Sequence, residues 1–525
     1  MSSIRKSVDE KDAGSAPTAS IAANEPTNVA DLEGNTHGSR DLDIAARFLA
    51  GLDPSIINEP ISAKEARKVL WKLDLHILPV LTLVIIVAAI DKVIISNASI
   101  YGMLTDDHMT TAQFSWIASI FYFAYLGFEA PAGYLVQRLP IRSYLAAAVF
   151  GFGVLTFCTG ATTSFASLAV VRFLLGAFES MLFPTASIIT AMWWTRKEQP
   201  IRVAMYFNTL SSVVTGLLAY GVGHSSSSIA PWRLLFIILG ALTTVLAAFV
   251  YIYIPSSPVE AWWLTDREKF ICVERVRQNN TGVEDKTFKM YQVVECLKDP
   301  KPWLLALFSV SQNICNGGLV TFAAIIVTGL GFTPLKTTLI GVPTGAIGTV
   351  WQILLALLSS RLPGYRCGII VGANCFPIIC AALMFSLRGH VSNLHLLGAY
   401  YGFYSYWAPY VLSTSLNISN VSGHTKKVTA NAMFFIGYCV GNIIGPQVFR
   451  SKDAPDYKHG YIGILACLVV SSISIALYGL LCRWENMKRD KAQGGDGTAA
   501  VEPTDTANAF SDLTDKEKPE FRYHY

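Results

Sequence analysis

Charge is what this chain has little of. Only 15% of its 525 residues are Asp, Glu, Lys or Arg, against roughly a quarter in an ordinary soluble chain. That little is gathered at both ends and in one central stretch. Between them run apolar segments of about 20 residues, long enough to cross a ~30 Å hydrocarbon core. A soluble bundle is thereby argued against, and a polytopic all-α membrane protein is expected. Metal-ligand spacing is missing too: the ten cysteines show no CxxC or Cys/His pattern and lie mostly within apolar segments, as small buried hydrophobes do. Residues 1–60 contain no apolar run of signal-peptide type, so the first span is expected to act as an uncleaved signal. No nucleotide loop, metal cluster or nucleophile constellation is present, so neither an enzyme nor a cofactor is expected. Lys and Arg cluster at membrane edges, which discounts nucleic acid as a partner.

What is present has an order. Residues 1–60 have the composition of a disordered tail, and ISAKEARKVLWKLDLH then reads as a basic amphipathic lead-in. Six spans follow, at about 76–97, 112–135, 143–162, 166–193, 203–223 and 232–254, making an N-terminal half of 61–255. A polar central loop, 256–301, separates them from spans at about 302–328, 335–358, 367–387, 393–416, 428–449 and 460–482, a C-terminal half of 302–485. Residues 486–525 read as a second disordered tail.

Short loops on one side hold Arg138, Arg142, Arg196, Lys197, Arg202, Arg361, Arg366, Lys426, Lys427 and Arg483, whereas the first three loops opposite hold no Lys or Arg. Basic loops stay in the cytoplasm, so both termini and the central loop are expected there. An internal repeat agrees with two halves. GYLVQRLPIR (Gly133 to Arg142) follows the second span and ALLSSRLPGYR (Ala356 to Arg366) the eighth, each with Arg-Leu-Pro at the same place.

Here the chain resembles the major facilitator superfamily, and more narrowly the fungal allantoate permease group within the anion:cation symporters. The first repeat is similar to the superfamily's loop motif G-x-x-x-D-R-x-G-R-R at Gly133, Arg138 and Arg142, and departs from it at Gln137, Pro140 and Ile141. WKLDLHILP with Asp91, Lys92 and Asn97 resembles the narrower group, as do YLGFEAP, RFLLGAFES, the FP and WW pairs with Arg196 and Glu198, PWRLLFIILG, WLTDREK and GNIIGPQVF. The likeness covers roughly residues 65–490. It implies twelve spans in two six-helix halves, alternating access, and a central cavity lined by the first, fourth, seventh and tenth spans. Gly133, Arg138, Arg142 and Arg361 would be gating residues, in a loop that locks the halves in the outward-open state.

The residues that carry charge into the membrane are few, and such residues are expensive unless paired or facing water. Asp91-Lys92 sits near the outer end of the first span, HILPVLTLVIIVAAIDKVIISNAS. In the fourth span, Arg172 lies roughly 8–10 Å below the outer interface at 1.5 Å per residue, and Glu179 follows seven residues on, on the same face. A carboxyl group caught between a dehydrated cavity and a neighbouring cation is suited to changing protonation as the cavity opens. Asp91 and Glu179 are therefore the expected proton-coupling pair. Arg172, whose planar fork suits a carboxylate, is the expected substrate anchor, with Lys92 as its assistant or as the partner of Asp91. The resemblance implies the same four positions, with Lys92 in place of a more usual Arg. Asn208, Asn313, Asn316 and Tyr404 are further candidate substrate contacts. Gly317-Gly318 would allow a local break in the seventh span and Pro409 a kink in the tenth. Glu129 is expected to pair with the basic loops.

The function so implied is proton-coupled uptake of a small organic carboxylate: a vitamin-like, ureido or sugar acid. The partners expected are that carboxylate, protons and the bilayer, with the protein a monomer. The plasma membrane is the expected site and the vacuole the alternative. A proton antiporter exporting a metabolite or toxin would look much the same in sequence. A non-transporting nutrient sensor is the reading from another class.

Overall fold

The computed structural model describes residues 48, 51–195, 198–206, 210–277, 288–387, 390–454, 457–492 and 513–525. Residues up to Glu59 form a separate unit. In it a short helix, α1 (Pro54–Asn58), is capped by the Asp53 side chain.

From Pro60 onward the described residues are helical, with no strand among them. This is what a bilayer demands, since each backbone N–H and C=O must find a partner within its own segment. The lead-in helix α2 (Ala63–His76) starts at a Ser62/Glu65 capping box. The first group of apolar helices is α3 (Leu78–Ala98), α4 (Thr111–Leu135), α5 (Ile141–Thr159), α6 (Phe165–Glu179), α7 (Leu182–Trp193), α8 (Gln199–Tyr206), α9 (Ser211–Gly223) and α10 (Pro231–Tyr253). The central stretch holds α11 (Asp266–Arg277) and α12 (Met290–Lys298). The second group is α13 (Pro300–Thr328), α14 (Pro334–Arg361), α15 (Arg366–Ser386), α16 (Asn393–Phe403), α17 (Trp407–Ser419), α18 (His424–Val448) and α19 (Lys458–Ala492). Among the described residues, nine helical stretches are long and apolar enough to cross a membrane.

The breaks between paired helices have local causes. Pro184 has no N–H to give the carbonyl four residues back, that of Ser180. The fourth stretch duly splits there into α6 and α7, which leaves Glu179 as the last residue of α6. Pro409 acts the same way on Ser405, which lies in a 3₁₀ turn at Tyr404–Tyr406 between α16 and α17. After α3 the chain passes through a π-turn, Ser99–Met103, where Gly102 takes φ +99°, a conformation that favours glycine.

Two expectations fail. Gly317-Gly318 does not break its helix, for α13 runs unbroken from Pro300 to Thr328. Instead, a Cβ on Gly317 would meet the Asn442 backbone at 2.9 Å, and one on Gly445 the Ile314 carbonyl at 2.5 Å. The glycines let α13 and α18 approach backbone to backbone, as small residues do in membrane bundles. Nor is 486–525 disordered throughout: α19 continues to Ala492, and residues 513–525 pack against the second group, with Thr514, Asp515 and Tyr523 buried. The chain there forms polar and aromatic contacts that composition alone does not reveal.

Contacts between the two groups gather at the end opposite the basic loops. The Ala324 N–H donates to Ser96 Oγ at 2.9 Å, Ser119 Oγ to the Ile443 carbonyl at 2.8 Å, and Gln447 Nε2 to Ser119 Oγ at 3.0 Å. Ring contacts continue through Phe114–Phe322 and Tyr122–Tyr438 to Tyr125–Phe435. Tyr125 lies ten residues before the end of α4 at Leu135, so this last contact is about 15 Å from the basic-loop end at 1.5 Å per residue.

Candidate functional site

Four charged side chains from α3 and α6 form the site, and they pair crosswise. Arg172 Nη1 lies 2.8 Å from Asp91 Oδ2, and Lys92 Nζ lies 2.6 Å from Glu179 Oε1. Adjacent helical residues point about 100° apart. Asp91 and Lys92 therefore cannot serve one partner, and each takes a different residue of α6. Seven residues separate Arg172 from Glu179, two turns on one face, so a single helix offers a cation to Asp91 and an acid to Lys92.

The two pairs differ in access. The Arg172 and Asp91 side chains are 3% and 0% exposed, whereas Lys92 is 24% exposed over a Glu179 of 4%. Arg172 also lies 5.4 Å from the centre of the Phe236 ring. Its Nε and Nη2, together with Asp91 Oδ1 and Glu179 Oε2, are buried without a hydrogen-bond partner. Lys92 Nζ stands 5.7 Å from the Phe121 ring centre and 5.5 Å from that of Tyr125, within cation–π range. The expected order of the cations is thus reversed in access: Lys92 is the more exposed and Arg172 the more buried.

The neutral candidates divide. Asn313 Nδ2 donates to the Ser309 carbonyl at 2.8 Å, and Asn316 Nδ2 to Asn442 Oδ1 at 2.8 Å. Asn316 Oδ1 also accepts from the Tyr406 hydroxyl at 2.7 Å, and Gln312 Nε2 donates to the Tyr406 carbonyl at 2.6 Å. This network bonds α13 to α18 and to the turn after α16, and it occupies both Asn residues. Tyr404 shares a 3.1 Å hydrogen bond with Tyr400. The two tyrosines line a cavity of about 60 Å³ with Ser96, Asn97, Thr337 and Thr338. Asn208 lies outside the described residues.

The gating candidates lie at the basic-loop end. Arg138 stacks 5.2 Å from the Tyr134 ring and Arg142 4.2 Å from the Tyr251 ring, both within the first group. Arg142 Nε also donates to the Tyr251 carbonyl. A Cβ on Gly133 would meet nothing within 4 Å, and Arg361 is exposed at the end of α14.

Sequence reasoning missed two features. Glu129 Oε2 is buried without a partner, where a pairing with basic loops was expected. Tyr122, Tyr125 and Glu129 fall at three- and four-residue spacing on α4, a legible sign of one face, and Tyr125 is the ring beside Lys92. The second is a clamp beneath the first group. Asp74 accepts from Arg202 at 2.6 Å and from the Trp194 indole at 2.8 Å. Lys72 meets Glu268 at 2.6 Å, and the His76 and Trp263 rings stack at 4.5 Å. The lead-in and the central stretch thus pack together beneath the bundle.

Comparisons with known proteins agree on one family. The Major Facilitator Superfamily model matches residues 81–446. The chain is 35% identical over 486 residues to the MFS-type transporter cnsL of Penicillium expansum, covering 92% of this chain and 93% of the relative. It is 34% identical over 479 residues to the allantoate permease of Saccharomyces cerevisiae, covering 88% and 87%. The thiamine pathway transporter THI73 of the same yeast is 33% identical over 507 residues, covering 92% and 94%. Among solved structures, the inward-open xylose transporter XylE from E. coli superposes with a TM-score of 0.58 at 14% identity, over 75% of this chain and 95% of its own.

Proposed function

The chain belongs to the major facilitator superfamily and is a multi-pass membrane transporter, and we propose that it couples proton entry to uptake of a small organic carboxylate. The observation that carries this reading is the crossed pairing, in which an accessible lysine is held by a buried acid. A substrate carboxylate reaching Lys92 competes with Glu179 for the ammonium. Once displaced, Glu179 is a buried carboxylate with no cation at contact distance, and a buried carboxylate so placed takes up a proton rather than remain charged. The anion and the proton then cross together without adding net charge to the site. Return of Glu179 to Lys92 releases both.

Arg172 serves as the fixed element in this scheme. It holds Asp91, and with two unspent donors it lies behind Lys92 as a second contact for the substrate. The hydroxyl-lined cavity between Ser96, Thr337 and Tyr404 suits the uncharged part of the substrate. We place the basic-loop end in the cytoplasm by its Lys and Arg content, twelve spans across the bilayer, and the protein in the plasma membrane. The allantoate permease relative is consistent with a carboxylate cargo.

Uptake of labelled carboxylates in cells lacking their own permeases tests the proposal. Acid outside should stimulate uptake, and Lys92→Gln should lower it at least tenfold. Uptake indifferent to an imposed proton gradient would overturn the reading. So would net efflux in the same cells, the behaviour of an antiporter.

A further inference from the structure

Residues 513–525 lie across the basic-loop end of the second helix group, with Thr514, Asp515 and Tyr523 buried there. Asp515 Oδ1 meets Lys426 Nζ at 2.6 Å at the start of α18. The Tyr523 hydroxyl donates to Asp515 Oδ2 at 2.6 Å, and its ring centre lies 3.8 Å from Lys301 Nζ at the start of α13. Arg489, near the end of α19, donates to the carbonyls of Asp515 at 2.9 Å, Lys518 at 3.1 Å and Phe521 at 2.7 Å. Asn420, just past α17, donates to the His524 carbonyl at 2.7 Å and accepts from its N–H at 2.7 Å. The Arg366 N–H at the head of α15 donates to the Tyr525 carbonyl at 2.9 Å. One short segment thus ties together the same end of five helices.

We propose that residues 513–525 are an intramolecular strap that restrains the basic-loop ends of α13, α15, α17, α18 and α19, and so opposes the closing of that end against the first group. The position of the group contacts gives the reason. Among the described residues, these hydrogen bonds and ring contacts run from the far end to Tyr125–Phe435, which lies about 15 Å from the basic loops at 1.5 Å per residue. Alternating access moves one helix group against the other around a fixed site, so the ends of α4 and α18 must approach each other during the cycle. The strap fixes the head of α18, through Asp515 on Lys426, to α13 through Tyr523 on Lys301 and to α19 through Arg489. Any approach that bends α18 away from its group must first break these contacts. Their buried, charge-assisted character makes the strapped form the resting one. This inference is independent of cargo and of proton coupling.

Distances between spin labels at Gln137→Cys, past the end of α4, and Val428→Cys, on α18, report on this end. Both positions are exposed, and the exposed Cys158 and Cys375 are replaced by Ser. Double electron–electron resonance on purified full-length protein in nanodiscs needs no substrate. The intact chain should give one dominant long distance. A chain ending at residue 512 should gain a shorter population, and a synthetic peptide of residues 513–525 should remove it. Should the truncated chain misfold, Asp515→Ala with Tyr523→Ala in the full chain gives the same test, because Lys426 keeps Glu295 at 2.9 Å. An unchanged distance distribution in either folded variant overturns the strap.

Discussion

Breaking the Arg172–Asp91 pair from either side should cost more than removing it whole. Both side chains are buried, at 3% and 0% exposure, and their contact is 2.8 Å. Arg172→Met strands Asp91 as an unpaired buried carboxylate, and Asp91→Asn strands the guanidinium. Losing one partner of such a pair typically costs about 3–5 kcal/mol. If the helices of the first group unfold together, each kcal/mol lowers Tm by about 2–4 °C for a unit of that size. Either single substitution should then lower Tm by roughly 6–20 °C. The double variant Arg172→Met with Asp91→Asn leaves no stranded charge, because Asn and Met have similar volumes to the residues they replace. It should melt at or above the milder single variant, a coupling of at least ~3 kcal/mol. Thermal melts of the four purified proteins in one detergent close the cycle. Additive losses would refute the pairing as a structural unit and would return Arg172 to the role of a free substrate anchor. Uptake by the double variant adds a second readout. If Asp91 only braces Arg172, proton stimulation survives in whatever transport remains.

Four further outcomes follow from particular contacts. Lys92→Gln should lower Tm less than breaking the Arg172–Asp91 pair, because Lys92 is 24% exposed and the buried Glu179 it leaves behind can neutralise itself by taking up a proton, and thermal melts beside the uptake assay separate this from collapse. Glu129→Gln should hold or raise Tm, since the buried Oε2 has no partner and an unpaired buried acceptor costs about 1–3 kcal/mol; a lower Tm would show a hidden partner. Gly445→Ala should destabilise by about 1–3 kcal/mol or more, because the new Cβ would lie 2.5 Å from the Ile314 carbonyl and 2.7 Å from the Gly318 nitrogen; an unchanged melt would refute the close approach of α13 and α18. The contribution of Asp299 to docking of residues 513–525 should be flat between pH 5 and pH 8, whereas that of His524 should weaken as pH falls, because burial and the nearby Arg366 guanidinium hold its imidazole below the ordinary 6.5. Burial pushes the Asp299 carboxyl up, but Lys301, its backbone N–H, Lys426 and Lys516 outweigh it and hold the group below its ordinary 3.8. A depressed carboxyl contributes stability above its unfolded value and loses it only as pH falls through the folded one. His524 instead takes up a proton on undocking below its ordinary 6.5, so a label on the segment should be released more readily at pH 5.5 than at pH 8, and release independent of pH would contradict this sign.

The fold was legible because a bilayer allows few solutions. Apolar length, loop charge and the repeated Arg-Leu-Pro carried enough information to expect an all-helical membrane transporter fold, and the described residues contain nine helical stretches long and apolar enough to cross a membrane. The misreadings have a common physical origin. In sequence, Gly317-Gly318 reads as a backbone weakness, but a glycine's consequence depends on what lies opposite, and α18 lies opposite at backbone distance. The distal tail was read from composition, which counts charges and cannot see that Asp515 and Tyr523 meet Lys426 and Lys301. In both cases the deciding partner is remote in sequence.

The site shows the same limit more sharply. Helix geometry alone brought Asp91, Lys92, Arg172 and Glu179 to compatible depth, yet it left two pairings open, along the sequence or across the helices. The 100° step between adjacent residues already disfavours Asp91 with Lys92. What it leaves open is which residue of α6 each one takes, and that depends on the rotation of α6 about its own axis. That rotation is set by contacts such as the Phe121 carbonyl, which a Cβ on Gly176 would overlap. Gly176 lies between Arg172 and Glu179 in sequence, so the approach of α4 to α6 at this glycine orients both charged residues. A Gly176→Ala substitution should therefore do more than loosen packing. By turning or displacing α6 it should weaken both crossed pairs at once, lowering Tm and uptake together, whereas Lys92→Gln should lower uptake with a smaller change in Tm. If Gly176→Ala left both readouts intact, the position of α6 would not be what selects the partners.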